Sequence, residues 1–239
     1  MKPIIGVVEW PYLDKDEDLI YEIKNEIIEW IQRSGGRPIG IFPTQIENFV
    51  NTRLRDLPEM TMDEKKDLKE NLEMCSAIIK PGALKIYPHE HYIYDYCLEK
   101  NMPYIGICAG MQVMASYGND KIENIKNDGF VNHHSDNTYV HDILLKKNTK
   151  LQSLLGKDVI KVNSRHNYHI KDPGIHKIVA YSEDLVIEAI ENPKADFHFG
   201  LQWHPELLPK EDENSKILFG EFVDAAKTYK KRTYYTATK

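Results

Sequence analysis

The feature that most constrains the fold is a cysteine between two glycines at the end of a short apolar run. Residues 104–107 predict a buried strand, and Cys108 follows, with Gly106 two residues before it and Gly110 two residues after it. A strand that turns sharply into a helix strains the backbone at its apex, and side chains two positions away would collide, so glycine is favoured there. The spacing predicts a nucleophile elbow that points the Cys108 thiol out of the sheet. The alternative is a buried structural cysteine in a strand-turn-helix.

The order of apolar segments around this elbow predicts an α/β fold. Residues predicted as strands of a parallel sheet are 4–8, 37–42, 77–80 and 104–107. Helices are predicted over 17–33, from 61 to about 72, over 88–100 and over 214–230, with 231–239 expected to fray. Because strands and helices alternate, we expect a three-layer α/β/α arrangement around a central, mostly parallel sheet. The sequence contains no long linker or repeat, which predicts a single domain over 1–239.

The second half of the chain predicts short strands separated by turns. The predicted strands are 159–162, 177–181, 186–190 and 197–203. They are expected to form β-hairpins that continue the sheet or make a small flanking one. Residues 119–142 are polar and irregular, and their histidines His133, His134 and His141 receive no assigned chemistry. Adjacent side chains on a strand face opposite ways, so the pair His133-His134 argues against a metal site.

Composition excludes several classes of function. The 31 basic and 37 acidic residues give a net charge of -6, which argues against nucleic acid as a partner. Three cysteines, Cys75, Cys97 and Cys108, have neither paired spacing nor a matching histidine cluster, so no disulfide framework or zinc site is indicated. A reducing cytoplasmic location fits best. The apolar N-terminal run is too short for a signal peptide, and no segment approaches the roughly 20 apolar residues of a membrane span.

A second chemical feature, His204-Pro205-Glu206, follows a predicted strand 96 residues after Cys108. A cysteine nucleophile needs a base, and the base needs a partner that fixes its tautomer. If the two strands are parallel, Cys108 and His204 lie at the same edge of the sheet. Taken alone, a His-Pro-Glu sequence is typical of a surface turn. Together with the elbow, it predicts a Cys-His-Glu catalytic triad.

Both motifs resemble the signatures of a known superfamily. The stretches 106–112 (Gly-Ile-Cys-Ala-Gly-Met-Gln) and 200–206 (Gly-Leu-Gln-Trp-His-Pro-Glu) are similar to those of class I glutamine amidotransferases, which have a flavodoxin-like α/β fold. The stretch 162–166 (Val-Asn-Ser-Arg-His) and residues 35–43 resemble the γ-glutamyl hydrolase branch, peptidase C26, which includes γ-glutamyl-γ-aminobutyrate hydrolases. The resemblance extends over nearly the whole chain.

The resemblance implies roles for particular residues. Cys108 would form a γ-glutamyl thioester, His204 would act as base and acid, and Glu206 would orient the ring. The backbone N–H groups of Gly82 and Ala109 would form the oxyanion hole. Residues implied to bind substrate are Gln112, Arg165 and His166.

Two positions depart from the usual family pattern. The loop that is usually Pro-Gly-Gly has Ala83 as its third residue, and Ala109 replaces the larger residue that often follows the nucleophile. The first change bears on the conformation of the loop. The second opens space beside the thiol for a different acceptor group.

These features lead to three functional hypotheses. The first is a stand-alone hydrolase that cleaves a small-molecule γ-glutamyl amide, without metal or organic cofactor, and releases glutamate and an amine. The second is a glutaminase subunit that supplies ammonia to a separate synthetase. The third is a catalytically inert binding module, which would require a gap in the triad. The amine half of the substrate and the oligomeric state, a homodimer included, stay open at this stage.

Overall fold

The computed structural model describes residues 2–45, 49–50, 52, 57–116, 122–125 and 131–237, with side chains to residue 233. Strands in this part of the chain are β1 (Ile4–Val8), β2 (Trp10–Leu13), β3 (Leu19–Glu22), β4 (Arg37–Ile41), β5 (Ala77–Lys80), β6 (Tyr104–Ile107), β7 (Ile122–Asn124), β8 (His141–Leu145), β9 (Val159–Val162), β10 (Tyr168–Ile170), β11 (Lys177–Ser182), β12 (Ile187–Glu191) and β13 (His198–Leu201). Helices there are α1 (Asn25–Arg33), α2 (Met62–Glu73), α3 (Pro88–Lys100), α4 (Ala109–Ala115), α5 (Lys150–Leu155) and α6 (Glu213–Ala237).

One mixed sheet contains nine of the described strands, in the order β4-β1-β5-β6-β13-β12-β11-β8-β9. The neighbours from β4 to β13 are parallel. The neighbours from β13 to β9 are antiparallel. The predicted α/β class is therefore confirmed, and the predicted hairpins of the second half continue the main sheet. Two smaller sheets, β2-β3 and β7-β10, lie outside it.

The sheet is covered on both faces because its strands alternate apolar side chains between two cores. On one face, the strands form a core with α1, α5 and α6; buried members of this core include Ile5, Ile79, Trp30, Leu151 and Phe219. On the other face, Ile78 and Tyr104 pack with Leu68 of α2, Tyr94 of α3 and Met111 of α4. Strands of 4 or 5 residues that are buried on both faces are typical of parallel sheets, which explains their unbroken apolar runs.

The predicted helix over 17–33 is wrong in its first half. Strands β2 and β3 form an antiparallel hairpin that pairs Trp10 with Glu22 and Leu13 with Leu19, and α1 begins only at Asn25. The Asp14 carboxylate accepts hydrogen bonds from the backbone N–H groups of residues 16 and 18, which closes the turn. Local side-chain to backbone bonds of this kind stabilise turns at the expense of helix.

The closing helix is longer than predicted. Helix α6 continues to Ala237, beyond the predicted end at 230, because side chains in its last turns are held. The Arg232 guanidinium forms an ion pair with Asp196 at 2.8 Å, and Thr233 Oγ1 donates to the Tyr229 carbonyl. Residues 238–239, expected to fray, lie outside the described part. None of the described helices, α6 included, is apolar over a length that would cross a bilayer.

The predicted irregular segment 119–142 contains short strands at its two described ends. Strand β7 pairs with β10, and β8 begins at His141 and joins the main sheet between β11 and β9. Residues 119–121 and 126–130 of this segment lie outside the described residues.

Candidate active site

Cys108 occupies a strained turn between β6 and α4. Its backbone dihedrals are φ 51° and ψ −105°, an unusual conformation for a residue with a side chain. The Cys108 N–H donates to the Leu201 carbonyl at 2.7 Å, which ties the turn to β13. A side chain at Gly106 would overlap the Gly110 backbone, and one at Gly110 would overlap the Lys80 carbonyl. The two glycines are therefore required by close backbone contacts, as the sequence spacing predicts.

The parallel pairing of β6 with β13 places His204 beside this turn. The register pairs Gly106 with Gly200, so Cys108 and His204 both follow the carboxyl ends of neighbouring strands. His204 Nδ1 lies 2.7 Å from Glu206 Oε1 in a buried hydrogen bond. A carboxylate can only accept, so Nδ1 carries the hydrogen and Nε2 is the nitrogen left for chemistry.

The charge state of His204 follows from these neighbours. Burial alone would lower its pKa, but the Glu206 carboxylate and the neighbouring Cys108 side chain outweigh burial and raise the pKa of His204 to about 10. The His204 ring is thus protonated at neutral pH and can act as a proton donor. The structure brings Cys108, His204 and Glu206 together: the His204 ring is hydrogen-bonded to Glu206, and all three residues line one cleft.

Asn163 fixes the backbone of His204. Its Oδ1 accepts from the His204 N–H at 2.8 Å, and its Nδ2 donates to the His204 carbonyl at 2.7 Å. Two hydrogen bonds from one rigid amide define both position and direction, so Asn163 sets where the imidazole sits. The stretch 162–166 carries this residue, but the sequence gives no sign that Asn163 contacts His204, because the two are 41 residues apart.

The loop after β5 lies directly against the pair of Cys108 and His204. A Cβ at Gly82 would lie 2.8 Å from His204 Cε1 and 3.3 Å from Cys108 Cβ. The Lys80 ammonium donates to the Pro81 carbonyl at 2.9 Å and forms a buried ion pair with Glu90 at 3.0 Å. In a trans peptide the C=O and N–H point in opposite directions, so Lys80 also fixes the direction of the Gly82 N–H. Lys80 received no role from the sequence, where it reads as the end of a strand.

Two neighbouring cavities border the site. A cleft of about 170 Å³ is lined by Cys108, His204 and Arg165. A larger cavity of about 880 Å³ is lined by Ala109 and Gln112. Ala83 and Leu84 line both cavities and lie between them. The larger cavity does not include the thiol, so we regard the smaller cleft as the place where chemistry would occur.

The three residues implied to bind substrate are placed differently. Arg165 lines the cleft and also pairs with Asp136 at 3.5 Å. Gln112 lines the larger cavity and donates to the Tyr168 carbonyl at 3.4 Å. The ring of His166 is buried away from both cavities, 3.6 Å from Glu188. The structure thus brings Arg165 and Gln112 to the site and directs His166 elsewhere.

The fold and this site together define a class I glutamine amidotransferase superfamily protein. Within that superfamily the chain belongs to the Peptidase C26 family, whose profile matches residues 3–206.

Comparisons with individual proteins agree with this family. A candidate glutamine amidotransferase of Schizosaccharomyces pombe is 29% identical over 217 residues, which cover 86% of this chain and 83% of that protein. The CTP synthase of Borreliella afzelii is 28% identical over 204 residues, which cover 69% of this chain but only 38% of that enzyme. The chain thus matches well under half the length of that relative.

Two solved structures share the fold at low sequence identity. The glutaminase domain of Trypanosoma brucei CTP synthase, solved with bound acivicin, superposes with a TM-score of 0.68 at 16% identity and covers 95% of this chain and 94% of that one. A Thermoplasma acidophilum protein described as a candidate GMP synthase subunit superposes with a TM-score of 0.66 at 14% identity and covers 98% of both chains. At these identities the likeness concerns the fold alone.

Proposed function

We propose that the protein hydrolyses a γ-glutamyl amide through a thioester on Cys108. The observation that carries this proposal is the group formed by the strained Cys108, the His204 ring that lines the same cleft, and the Glu206 carboxylate 2.7 Å from Nδ1 of that ring. Cys108 lines the cleft, where its thiol can meet a substrate carbonyl, and the ring beside it can move protons.

The reaction proceeds in two steps at one carbon. Cys108 Sγ attacks the amide carbonyl carbon after its proton has passed to His204 Nε2. His204 returns that proton to the leaving nitrogen, so the C–N bond breaks and an amine departs. Water then attacks the thioester carbonyl and gives a proton to His204, the C–S bond breaks, and glutamate leaves. Glu206 holds the ring orientation through both steps.

The negative charge on the carbonyl oxygen would be stabilised by backbone donors. We assign this role to the N–H groups of Gly82 and Ala109, which belong to the loop and the helix that flank the thiol. Each donor of this type contributes roughly 10²–10³ to the rate. The Lys80 contact with Pro81 supports this assignment because it fixes the peptide that carries the Gly82 N–H.

The size of the larger cavity favours a substrate bulkier than glutamine. A volume of about 880 Å³ lies near the upper end of the range of pockets that hold drug-sized ligands. We assign Gln112 and Arg165 to substrate binding because they line the two cavities. His166 contributes, in this proposal, through the position of the segment that carries Arg165.

A glutaminase that supplies ammonia to a synthetase is the second candidate. It is favoured by the match to CTP synthases, of which the chain resembles only a part. Such a protein would act on glutamine itself and would pass ammonia to a partner enzyme.

Substrate profiling distinguishes these functions. The full chain and its Cys108→Ala variant are incubated with glutamine and with a panel of γ-glutamyl amides of polyamines, amino acids and γ-aminobutyrate, and glutamate release is measured. A Cys108-dependent preference for a bulkier amide supports the hydrolase, and ammonia from glutamine alone supports the glutaminase. Absence of turnover of every amide would overturn both and leave an inert binding module.

A further inference from the structure

A second histidine–glutamate cluster lies in the antiparallel half of the sheet, away from the thiol. Glu188, the second residue of β12, is 0% exposed, and neither of its carboxylate oxygens has a hydrogen-bond partner. Three rings surround one of these oxygens, Oε1: His133 Nδ1 at 3.3 Å, His141 Nε2 at 3.6 Å and His166 Nε2 at 3.6 Å. None of these three nitrogens forms a hydrogen bond either. Four buried polar groups therefore converge without satisfying one another, which is rare in native proteins.

The outer nitrogen of each ring faces an acceptor. His141 Nδ1 lies 3.3 Å from the Asp142 carbonyl, and His166 Nδ1 lies 3.1 Å from the Tyr168 carbonyl. His133 Nε2 lies 3.1 Å from the Asp184 carboxylate. Acceptors of this kind place the hydrogen on the outer nitrogen of a neutral ring, so all three inner nitrogens present lone pairs to the Glu188 oxygen. Lone pairs that face a carboxylate repel it unless a proton or a metal cation lies between them.

The spacing of these atoms suits a metal ion. Zinc binds histidine nitrogen and carboxylate oxygen at 2.0–2.2 Å in a tetrahedron, so ligand atoms lie about 3.3–3.6 Å apart. The observed separations from Glu188 Oε1 fall in this range; one ligand atom from each of His133, His141 and Glu188 lies within 4.8 Å of the others, so the ring nitrogens would move closer together around an ion. Metal-bound histidines also usually donate their other N–H to a carboxylate or a carbonyl, as these three do.

We propose that His133, His141, His166 and Glu188 bind a structural zinc ion. Imidazoles with one carboxylate suit zinc; His133, His141 and Glu188 form the compact part of the set, and His166, whose Nε2 lies 3.6 Å from Glu188 Oε1, would supply the fourth ligand and leave no position for a substrate. All four side chains are at least nine-tenths buried. The ion is therefore a structural element and takes no part in the hydrolysis.

The ligands come from four separate segments, which indicates what the ion would hold together. His133 lies in the segment before β8, His141 is the first residue of β8, His166 follows β9 and Glu188 belongs to β12. The segment with His166 also contains Asn163, whose two hydrogen bonds fix the His204 backbone. A zinc ion would thus stabilise the segment that positions the proposed catalytic histidine, although the ion itself lies outside the active site.

Metal content and a spectroscopic probe test the proposal on the full chain. After treatment with a chelator and dialysis, the protein is reloaded with Zn²⁺ or Co²⁺; we expect about one zinc ion per chain and the intense visible absorption of tetrahedral Co²⁺. At free zinc about 1,000 times Kd, the Tm should rise by about 8–16 °C. These readouts do not require turnover, so they fail or succeed independently of the proposed hydrolysis.

Matched variants locate the ion. His141→Ala should abolish the Co²⁺ spectrum, whereas His134→Ala, which changes the exposed neighbour of His133, should leave it intact. Asp184→Asn keeps all four ligands and should weaken zinc binding about 10–100-fold, because it removes the negative charge of the acceptor behind His133. Substoichiometric zinc in the reloaded wild type, or equal Co²⁺ spectra in His141→Ala and His134→Ala, would overturn the proposal in favour of an ion cluster without metal.

Discussion

Two histidine–glutamate arrangements occupy the two halves of the sheet, and they differ in how the carboxylate meets the rings. Beyond the carboxyl end of β13, Glu206 accepts a hydrogen bond from the single ring of His204 over 2.7 Å. In the antiparallel half, Glu188 faces three rings at 3.3–3.6 Å without a hydrogen bond to any of them. The short contact fixes the orientation and charge of one ring, whereas the wider spacing leaves room for an ion. The same residue types thus support different chemistry because their separations differ.

The largest expected effect is a loss of turnover that leaves the Glu188 cluster unchanged. Cys108→Ala removes the proposed nucleophile and should lower glutamate release by at least about 10⁴-fold, while zinc content stays at the wild-type level. Turnover and metal analysis on the same preparation measure both. Retained turnover would assign the nucleophile to another residue.

The second test changes the carboxylate of the proposed catalytic pair. Glu206→Gln keeps the shape but removes the charge, so we expect turnover to fall about 10⁴-fold and the pKa of His204 to drop from about 10 towards its ordinary value of about 6.5. NMR titration of the labelled ring measures the pKa. An unchanged titration would contradict the role of Glu206.

The same variant should flatten the dependence of stability on pH. A His204 pKa higher in the folded than in the unfolded chain stabilises the fold fully below about pH 6.5, and this contribution is lost as pH rises to about 10. Denaturant unfolding between those pH values should therefore show a smaller decline for Glu206→Gln than for the wild type.

A smaller effect is expected at the residue that links the two arrangements. Asn163→Ala removes both hydrogen bonds to the His204 backbone and should lower kcat about 10²-fold through misplacement of the ring. Asn163→Asp keeps an acceptor for the His204 N–H and should retain more activity. If both variants bind zinc normally, the loss comes from the ring position; equal activity of Asn163→Ala and wild type would exclude the positioning role.

The smallest effect concerns the remaining cysteines. Burial raises the pKa of Cys75 to about 12 and raises that of Cys97 as well, so neither thiol should react at neutral pH. Cys75→Ala and Cys97→Ala should each keep activity within about twofold, because neither thiol lies in the site. Mass spectrometry after mild alkylation should find the label on Cys108; inactivation through label on Cys75 or Cys97 would contradict a single reactive thiol.

The parallel half was predictable because each of its signals is local. A strand buried on both faces gives an unbroken apolar run, and the elbow combines such a run with glycines at fixed spacing. The site motifs also fall directly after strands, so a parallel sheet alone brings them to one edge. Their positions followed from the sequence without knowledge of any long-range contact.

The features that the sequence did not predict depend on contacts that no short stretch of sequence contains. Leu19, Ile20 and Ile23 fit a helical period, but the hydrogen bonds accepted by the Asp14 carboxylate stabilise the turn of a hairpin instead. His133 and His134 do face opposite ways, yet His133 converges with residues 8, 33 and 55 positions further along the chain. The two hydrogen bonds between Asn163 and the His204 backbone likewise exist only in the folded chain.

The backbone conformation at Cys108 lowers the stability of the fold while it positions the thiol. A residue with a side chain held at φ 51° and ψ −105° costs of order 1–3 kcal/mol, which glycine would largely avoid. The proposed nucleophile therefore occupies a position where the most stable protein would have no sulfur, and greater thermal resistance obtained by a glycine at this turn would come with loss of the proposed activity.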